Sequence, residues 1–286
     1  DEILKRVVES YRRIRNTLRF LLANVSDFDI QKDAVPLGRM FDIDRYALVM
    51  TEQVQKRIVD LYLKYEFHPI VSLLQTFCSE ELGAFYLDIL KDRLYTTAEN
   101  SLARRSAQTA LWHITDALLK LMAPILSFTA DEAWPVFAPE RCREPGASIQ
   151  EELFHVFPEL PDAEALDARW SLIRKARAQV QAHLESQLRE RGEIGSSLQA
   201  EVALTAPAGE LHDALASLEV LITSAARLSE GAADSELAID AKASPHQKCE
   251  RCWHWRADVG ANPEHPGLCG RCESNLFGEG EPRQHA

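Results

Sequence analysis

Nowhere in these 286 residues is there an apolar run of the ~18 that a membrane-crossing helix requires. The longest candidate, Leu118 to Leu126, is interrupted by Lys120 and Pro124. The first residues, Asp1-Glu2-Ile3-Leu4-Lys5-Arg6, have no secretory signal pattern, and the missing initial Met points to a fragment or a processed chain. The usual signatures of catalysis are also absent: there is no Gly-rich phosphate loop, no Gly-x-Ser-x-Gly and no His-Glu-x-x-His. The carboxylate pairs Glu80/Glu81, Asp131/Glu132 and Glu151/Glu152 are sequence neighbours. They therefore face different sides of a helix, which suits solvation or capping better than paired acid and base work. His68 before a Pro and His113 within an apolar helix read as structural, so no catalytic residue is expected. Cysteine is scarce too: two of the six, Cys78 and Cys142, are isolated, no disulfide framework emerges, and a cytoplasmic location is expected.

Charge of one sign is scarce only locally. The net charge is -12, yet residues 1–110 hold 16 groups of each sign and residues 111–245 hold 11 basic against 22 acidic. Lys5, Arg6, Arg12, Arg13, Arg15 and Arg19 face only Glu9 between positions 5 and 19. Such a concentration fits phosphate contact or, equally, a solvated helix face.

What is present is mostly helix. Leu4, Val7, Tyr11, Ile14, Leu18, Leu21 and Val25 fall on one stripe of a long helix, with Arg12, Arg15 and Arg19 on another face. A second helix is predicted from Asp42 or Asp44 to about Glu66, a third from Pro69 through Phe77, and others over 85–94 and 101–122. Thr129 to Glu132 has the form of a capping box opening a short helix around Trp134. These predict an antiparallel helical bundle over 1–138, and a linker over 139–161 marked by Pro139, Pro145, Gly146, Pro158 and Pro161. Residues 162–245 predict a long helix, capped by Asp162 and running to about Arg191, followed by a small α/β connector. Its strands are expected at 201–205 and 236–241, its helix at 211–222, and a mobile loop at 225–233.

Residues 246–286 hold the most specific pattern. Cys249-Glu250-Arg251-Cys252 and Cys269-Gly270-Arg271-Cys272 are separated by sixteen residues. Two Cys-x2-Cys turns at that separation can present four thiolates to one tetrahedral Zn2+, with no position left open for water. The expectation is a zinc-ribbon-like module holding one Zn2+ through Cys249, Cys252, Cys269 and Cys272, with redox exchange and disulfides as lesser alternatives. His254 and His265 are spare donors. Trp253 and Trp255 can stack on an unpaired base or supply the core that so small a module lacks. Arg251, Arg256 and Arg271 are candidates for phosphate contact, because a guanidinium fork matches phosphate oxygens.

Three stretches then carry a resemblance: Tyr11 to Leu22 (YRRIRNTLRFLL), Phe85 to Tyr95 (FYLDILKDRLY) and Ala123 to Trp134 (APILSFTADEAW). Together they resemble the anticodon-binding half of class I aminoacyl-tRNA synthetases of the isoleucine, valine and leucine group. The Lys-Asp-Arg-Leu-Tyr run and the four-cysteine tail are similar to the bacterial-type isoleucyl members. A valyl member would end in a coiled coil, and no heptads follow residue 240. The group often has Ser at Gly83 and Glu at Gln199. The adenylate-forming signatures and the editing domain are missing, so the resemblance implies a C-terminal part without aminoacylation or editing sites. The parent enzyme would join isoleucine to its tRNA using ATP, bound only in the missing catalytic domain. Its implied partners are the anticodon stem-loop of isoleucine tRNA and the missing catalytic and editing domains of the same polypeptide, with no membrane. The tRNA contacts implied are Arg12, Arg15, Arg19, Arg104 and Arg105, joined by Arg251, Arg256, Arg271 and Trp253. A competing reading is a free-standing zinc-dependent adaptor that binds protein.

Overall fold

The computed structural model describes residues 2–144, 146–216 and 218–283. Pro145 and the side chain of Arg6, both used above, lie outside the described residues. Helices dominate: α1 Glu2–Asn24, α2 Asp42–Leu63, α3 Phe67–Thr76, α4 Leu87–Thr96, α5 Leu102–Met122, α6 Ser127–Phe137 and α7 Ala163–Leu184. After them come β1 Ala200–Pro207, α8 Glu210–Ala214, β2 Ala225–Gly231, β3 Ala238–Ala243, β4 Gln247–Lys248, β5 Trp255–Arg256 and α9 Gly270–Phe277. The chain forms a mainly helical bundle followed by small sheets and a four-cysteine module. It divides into two compact units: Asp1–Met40 with Asp44–Asp88 and Arg105–Pro161, and Phe41–Ile43 with Ile89–Arg104 and Asp162–Ala286.

In the first unit, α1 buries Ile14, Leu18, Leu21 and the following Val25. The stripe outruns its packing, because Leu4 and Val7 are 66% and 60% exposed. Buried polar groups cross-link the core, as their desolvation demands. Asp44, fully buried, accepts from Tyr86 Oη at 2.8 Å and Ser106 Oγ at 2.5 Å. Asp116, also buried, accepts from Lys120 Nζ at 2.8 Å and lies 2.7 Å from His155 Nδ1, while His155 Nε2 is 3.0 Å from His113 Nδ1.

The helix expected over 85–94 is present, and two local details differ from expectation. The helix expected from about 85 is preceded by a π-helical stretch, Phe77–Tyr86, that joins α3 to α4. A Cβ on Gly83 would lie 2.9 Å from the Cys78 carbonyl, which also accepts from Thr17 Oγ1 at 3.1 Å, so the missing side chain permits the close approach. The capping box does not form either: α6 starts at Ser127 without a side-chain cap, and the Thr129 hydroxyl meets Tyr11 Oη at 3.1 Å, a partner 118 positions away.

The second unit is built on a sheet of order β2-β1-β3, with β1 parallel to β2 and antiparallel to β3. Val202, Leu204 and Ala206 alternate into its core, against which α7 contributes Trp170, Ile173, Val180 and Leu184. Asp162 stands at the N-cap of α7 without a side-chain cap bond, and the helix closes in one π turn, Glu185–Arg189. The predicted mobile loop is in fact strand β2, paired from Ala225 opposite Glu201 to Gly231 opposite Pro207. Its small and polar residues gave no alternating signal, because backbone pairing with β1 defines this edge strand.

Candidate metal centre and its surroundings

Four cysteines converge in the second unit. One potential ligand atom from each of Cys249, Cys252, Cys269 and Cys272 lies within 4.8 Å of all the others, and all four residues are buried. The first pair sits on a tight turn joining β4 and β5: Cys249 N–H donates to His254 O at 2.8 Å and Trp253 N–H to Cys249 O at 3.0 Å. Trp253 closes this turn at φ +64°. The second pair straddles the start of α9, with Cys269 at the N-cap and Cys272 in the first turn. The positive end of the helix favours negative sulfur there, and Cys269 N–H donates to Cys249 Sγ at 3.4 Å.

The arrangement fits a metal. Cys252 and Cys269 sulfurs are 3.7 Å apart, matching the edge of about 3.8 Å expected for a tetrahedron with metal–sulfur bonds of about 2.3 Å. Hydrogen bonds from Cys269 and Cys272 pull the Cys252 thiol down towards thiolate. The same bonds to Cys252 push Cys269 up to about 11 and Cys272 up as well. The sulfurs therefore share protons among themselves, and all four could be thiolate together only around a central cation. His254 and His265 are otherwise occupied: His254 Nδ1 donates to Cys252 O at 3.1 Å, and His265 stacks on Phe277 at 4.3 Å.

Around this cluster the charged side chains are ordered by one carboxylate. Asp92 on α4 receives both arms of the Arg271 fork, at 2.6 and 2.7 Å, and Arg283 at 2.5 Å. Burial alone would raise Asp92, but the Arg271 hydrogen bonds and the charges of Arg271, Arg283 and His254 prevail and hold it well below the usual carboxylate range. Glu281 adds ion pairs of 3.7 Å to Arg271 and 3.3 Å to Arg283. Arg251 donates to the Thr96 and Tyr95 carbonyls, the latter at 3.3 Å. Arg251 and Arg271, expected at phosphates, thus tie the knuckles to α4.

The remaining sequence candidates fall into three situations. Arg12, Arg15 and Arg19 stand exposed along α1. Arg104 donates to Glu99 O at 3.2 Å, and Arg105 is largely buried among Gln108, Asp27 and Asp33. Arg256 lines a cavity of about 410 Å³ with His254, Arg271, Arg283, Asp92 and Glu219, and its Nε is buried without a hydrogen-bond partner. Trp253 is 59% exposed, with Lys248 Nζ 5.1 Å from its ring centroid, whereas Trp255 is half-buried. Sequence reasoning missed Lys248, Asp92 and Arg283. Lys248 borders the first knuckle and was open to notice; Asp92 reaches Arg271 across 179 positions and was not.

The profile of a family described as "Anticodon-binding domain of tRNA ligase" matches residues 44–204, and that of "Zinc finger found in FPG and IleRS" matches residues 247–275. The chain is similar to the isoleucine–tRNA ligase of Bordetella parapertussis, 62% identical over 295 residues. It is likewise similar to those of Paraburkholderia phymatum, at 58%, and Cupriavidus taiwanensis, at 56%. In each case all of this chain is covered, and it spans 30% of the relative's length.

Proposed function

Because the chain belongs to the family of anticodon-binding domains of tRNA ligases, and matches the C-terminal anticodon-binding and zinc-finger region of bacterial isoleucine–tRNA ligases, we propose that it grips the anticodon stem-loop of isoleucine tRNA. In this reading it contributes affinity and anticodon preference, while aminoacylation with ATP and editing belong to other parts of the parent polypeptide. One observation supports the reading above the rest: an anticodon-binding match and a four-thiol knuckle carrying a lifted, exposed tryptophan occur in one chain.

Work is divided by chemistry. Exposed Arg12, Arg15 and Arg19 on α1 meet phosphates, giving salt-dependent, sequence-independent attraction. Trp253 offers a stacking face to an unpaired base, with Lys248 beside it for the adjoining phosphate. Cys249, Cys252, Cys269 and Cys272 hold one Zn2+, which supplies structural cross-linking and no reaction chemistry. Arg251 and Arg271 serve by fixing the knuckles on α4, so that Trp253 is presented in one orientation. Membrane partners are not part of this reading: no helix of the described residues is long and apolar enough to cross a membrane.

A mobility-shift titration tests the proposal. The chain should retard an isoleucine-tRNA anticodon stem-loop more tightly than the same hairpin with a changed anticodon. Equal retardation of both would remove the anticodon-reading role.

A further inference from the structure

Arg256 has no task in the tRNA grip, and its surroundings give it one. From β5 it lines the cavity of about 410 Å³, whose other walls come from α4, the 3-10 turn Leu218–Leu221, β2 and α9, all within the second unit. Arg256 and Arg271 both border this cavity, and the Nε of each is buried without a hydrogen-bond partner. Two desolvated donors at one cavity are costly, and they call for an acceptor.

The charges around it are unevenly satisfied. Arg256, Arg271 and Arg283 line the cavity with Asp92 and Glu219, and Glu281 stands beside them. Arg271 and Arg283 take up Asp92 and Glu281, while His254 Nδ1 is engaged with Cys252 O. Glu219 is exposed and keeps its water. Arg256 is half-buried and makes no ion pair among the described residues. The wall opposite is strained as well: Ile222, which follows the 3-10 turn, sits at φ +55°, with its N–H donating to Glu219 O at 3.2 Å. A β-branched side chain rarely adopts that backbone, and strain of this kind gathers at ligand clamps.

We propose that this cavity is a phosphate site, in which Arg256 supplies the charge and the Nε–H groups of Arg256 and Arg271 donate to oxygens of one tetrahedral oxyanion. The other two nitrogens of Arg271 stay on Asp92. Water could accept from either donor, but it would leave the Arg256 charge without a counterion. A planar carboxylate accepts mainly in its own plane, whereas a phosphate offers oxygens to guanidinium groups arriving from β5 and α9. The phosphate can belong to an RNA backbone or be free in solution, with the same chemistry at the cavity.

The zinc-loaded chain is titrated with inorganic phosphate at constant ionic strength, without RNA. One phosphate should bind per chain with a dissociation constant on the order of 1 mM. Arg256→Gln, checked to retain its zinc, should weaken that binding about tenfold or more. Absence of saturable binding, or equal affinity in the variant, would overturn the proposal. Should Arg256→Gln fail to fold, Glu219→Gln decides: this exposed change removes a like charge and should tighten phosphate several-fold, and unchanged affinity would place any bound phosphate elsewhere. An anticodon hairpin then distinguishes the two sources. Displacement of phosphate by the hairpin, with a salt slope of RNA binding about one lower in Arg256→Gln, assigns the site to an RNA phosphate; phosphate retained beside bound hairpin assigns it to the free ion. Loss of anticodon preference would fail the proposed function and leave the RNA-free phosphate titration to be judged alone.

Discussion

Asp92 shows how much of the metal region depends on one carboxylate. It neutralises Arg271 and Arg283, whose side chains are 11% and 7% exposed. Replacing it with Asn leaves cations that are expensive to keep out of water, with Glu281 as the nearby anion. Asp92→Asn should therefore destabilise the second unit by about 3 kcal/mol in denaturant titration. Since the folded carboxyl is held below its ordinary range, its stabilisation is complete at neutral pH. It is lost only as the pH falls below about 4. His113 behaves differently: burial, reinforced by His155, lowers it from 6.5 to about 4. Between those values the unfolded chain takes up a proton that the folded unit refuses, so stability falls on acidification, by up to about 3 kcal/mol. His113→Phe should flatten that slope in urea titrations between pH 6.5 and 4; an unchanged slope would place the titration elsewhere.

At the scale of elements, α1 carries the prediction that bears most on RNA. Arg15 and Arg19 are exposed on it, and each phosphate contact contributes about one unit to the salt slope of binding. Arg15→Ala with Arg19→Ala should weaken tRNA binding and lower the slope of log affinity against log salt by about two. An unchanged slope would move the phosphate footprint off this helix. The elements also show what sequence could convey. α1, α2 and α5 were legible because their cores are written every three or four residues, and the knuckles because metal spacing is local. Strand β2 was not, since Ala225 to Gly231 owes its conformation to β1; nor was the π stretch, because one wider turn leaves no mark in periodicity. Arg271 looked free for phosphate, and its chelation by Asp92 depends on a helix far away in sequence.

For the whole molecule, the cysteine cluster divides what depends on metal from what does not. The module of residues 246–283 contains only Val259 and Leu268 as partly buried hydrophobics packed on its cysteines. A core that small cannot offset the cost of ordering the module, so the cross-link must. Cys269→Ala, or treatment with a strong chelator, should lower bound zinc from one per chain and weaken tRNA binding. The far-ultraviolet helical signal should fall only by the share of α9, since the helices of the first unit have cores of their own. Collapse of the whole helical signal would show that the metal supports the entire chain. The helical class and the metal module were legible in sequence; the grouping of residues 41–43 and 89–104 with the C-terminal unit was not, because it arises from packing across long stretches of chain.

The Asp92 clamp also makes metal occupancy a matter of electrical sign. While the knuckles are folded, the two guanidinium groups cover this carboxylate and Glu281 and leave the region close to neutral. Once the second knuckle unravels, Arg271 leaves with it, and Asp92 on α4 keeps Arg283 as its guanidinium partner beside the exposed Tyr95. The region turns more negative, and on the proposed function a metal-depleted chain would attract tRNA less strongly.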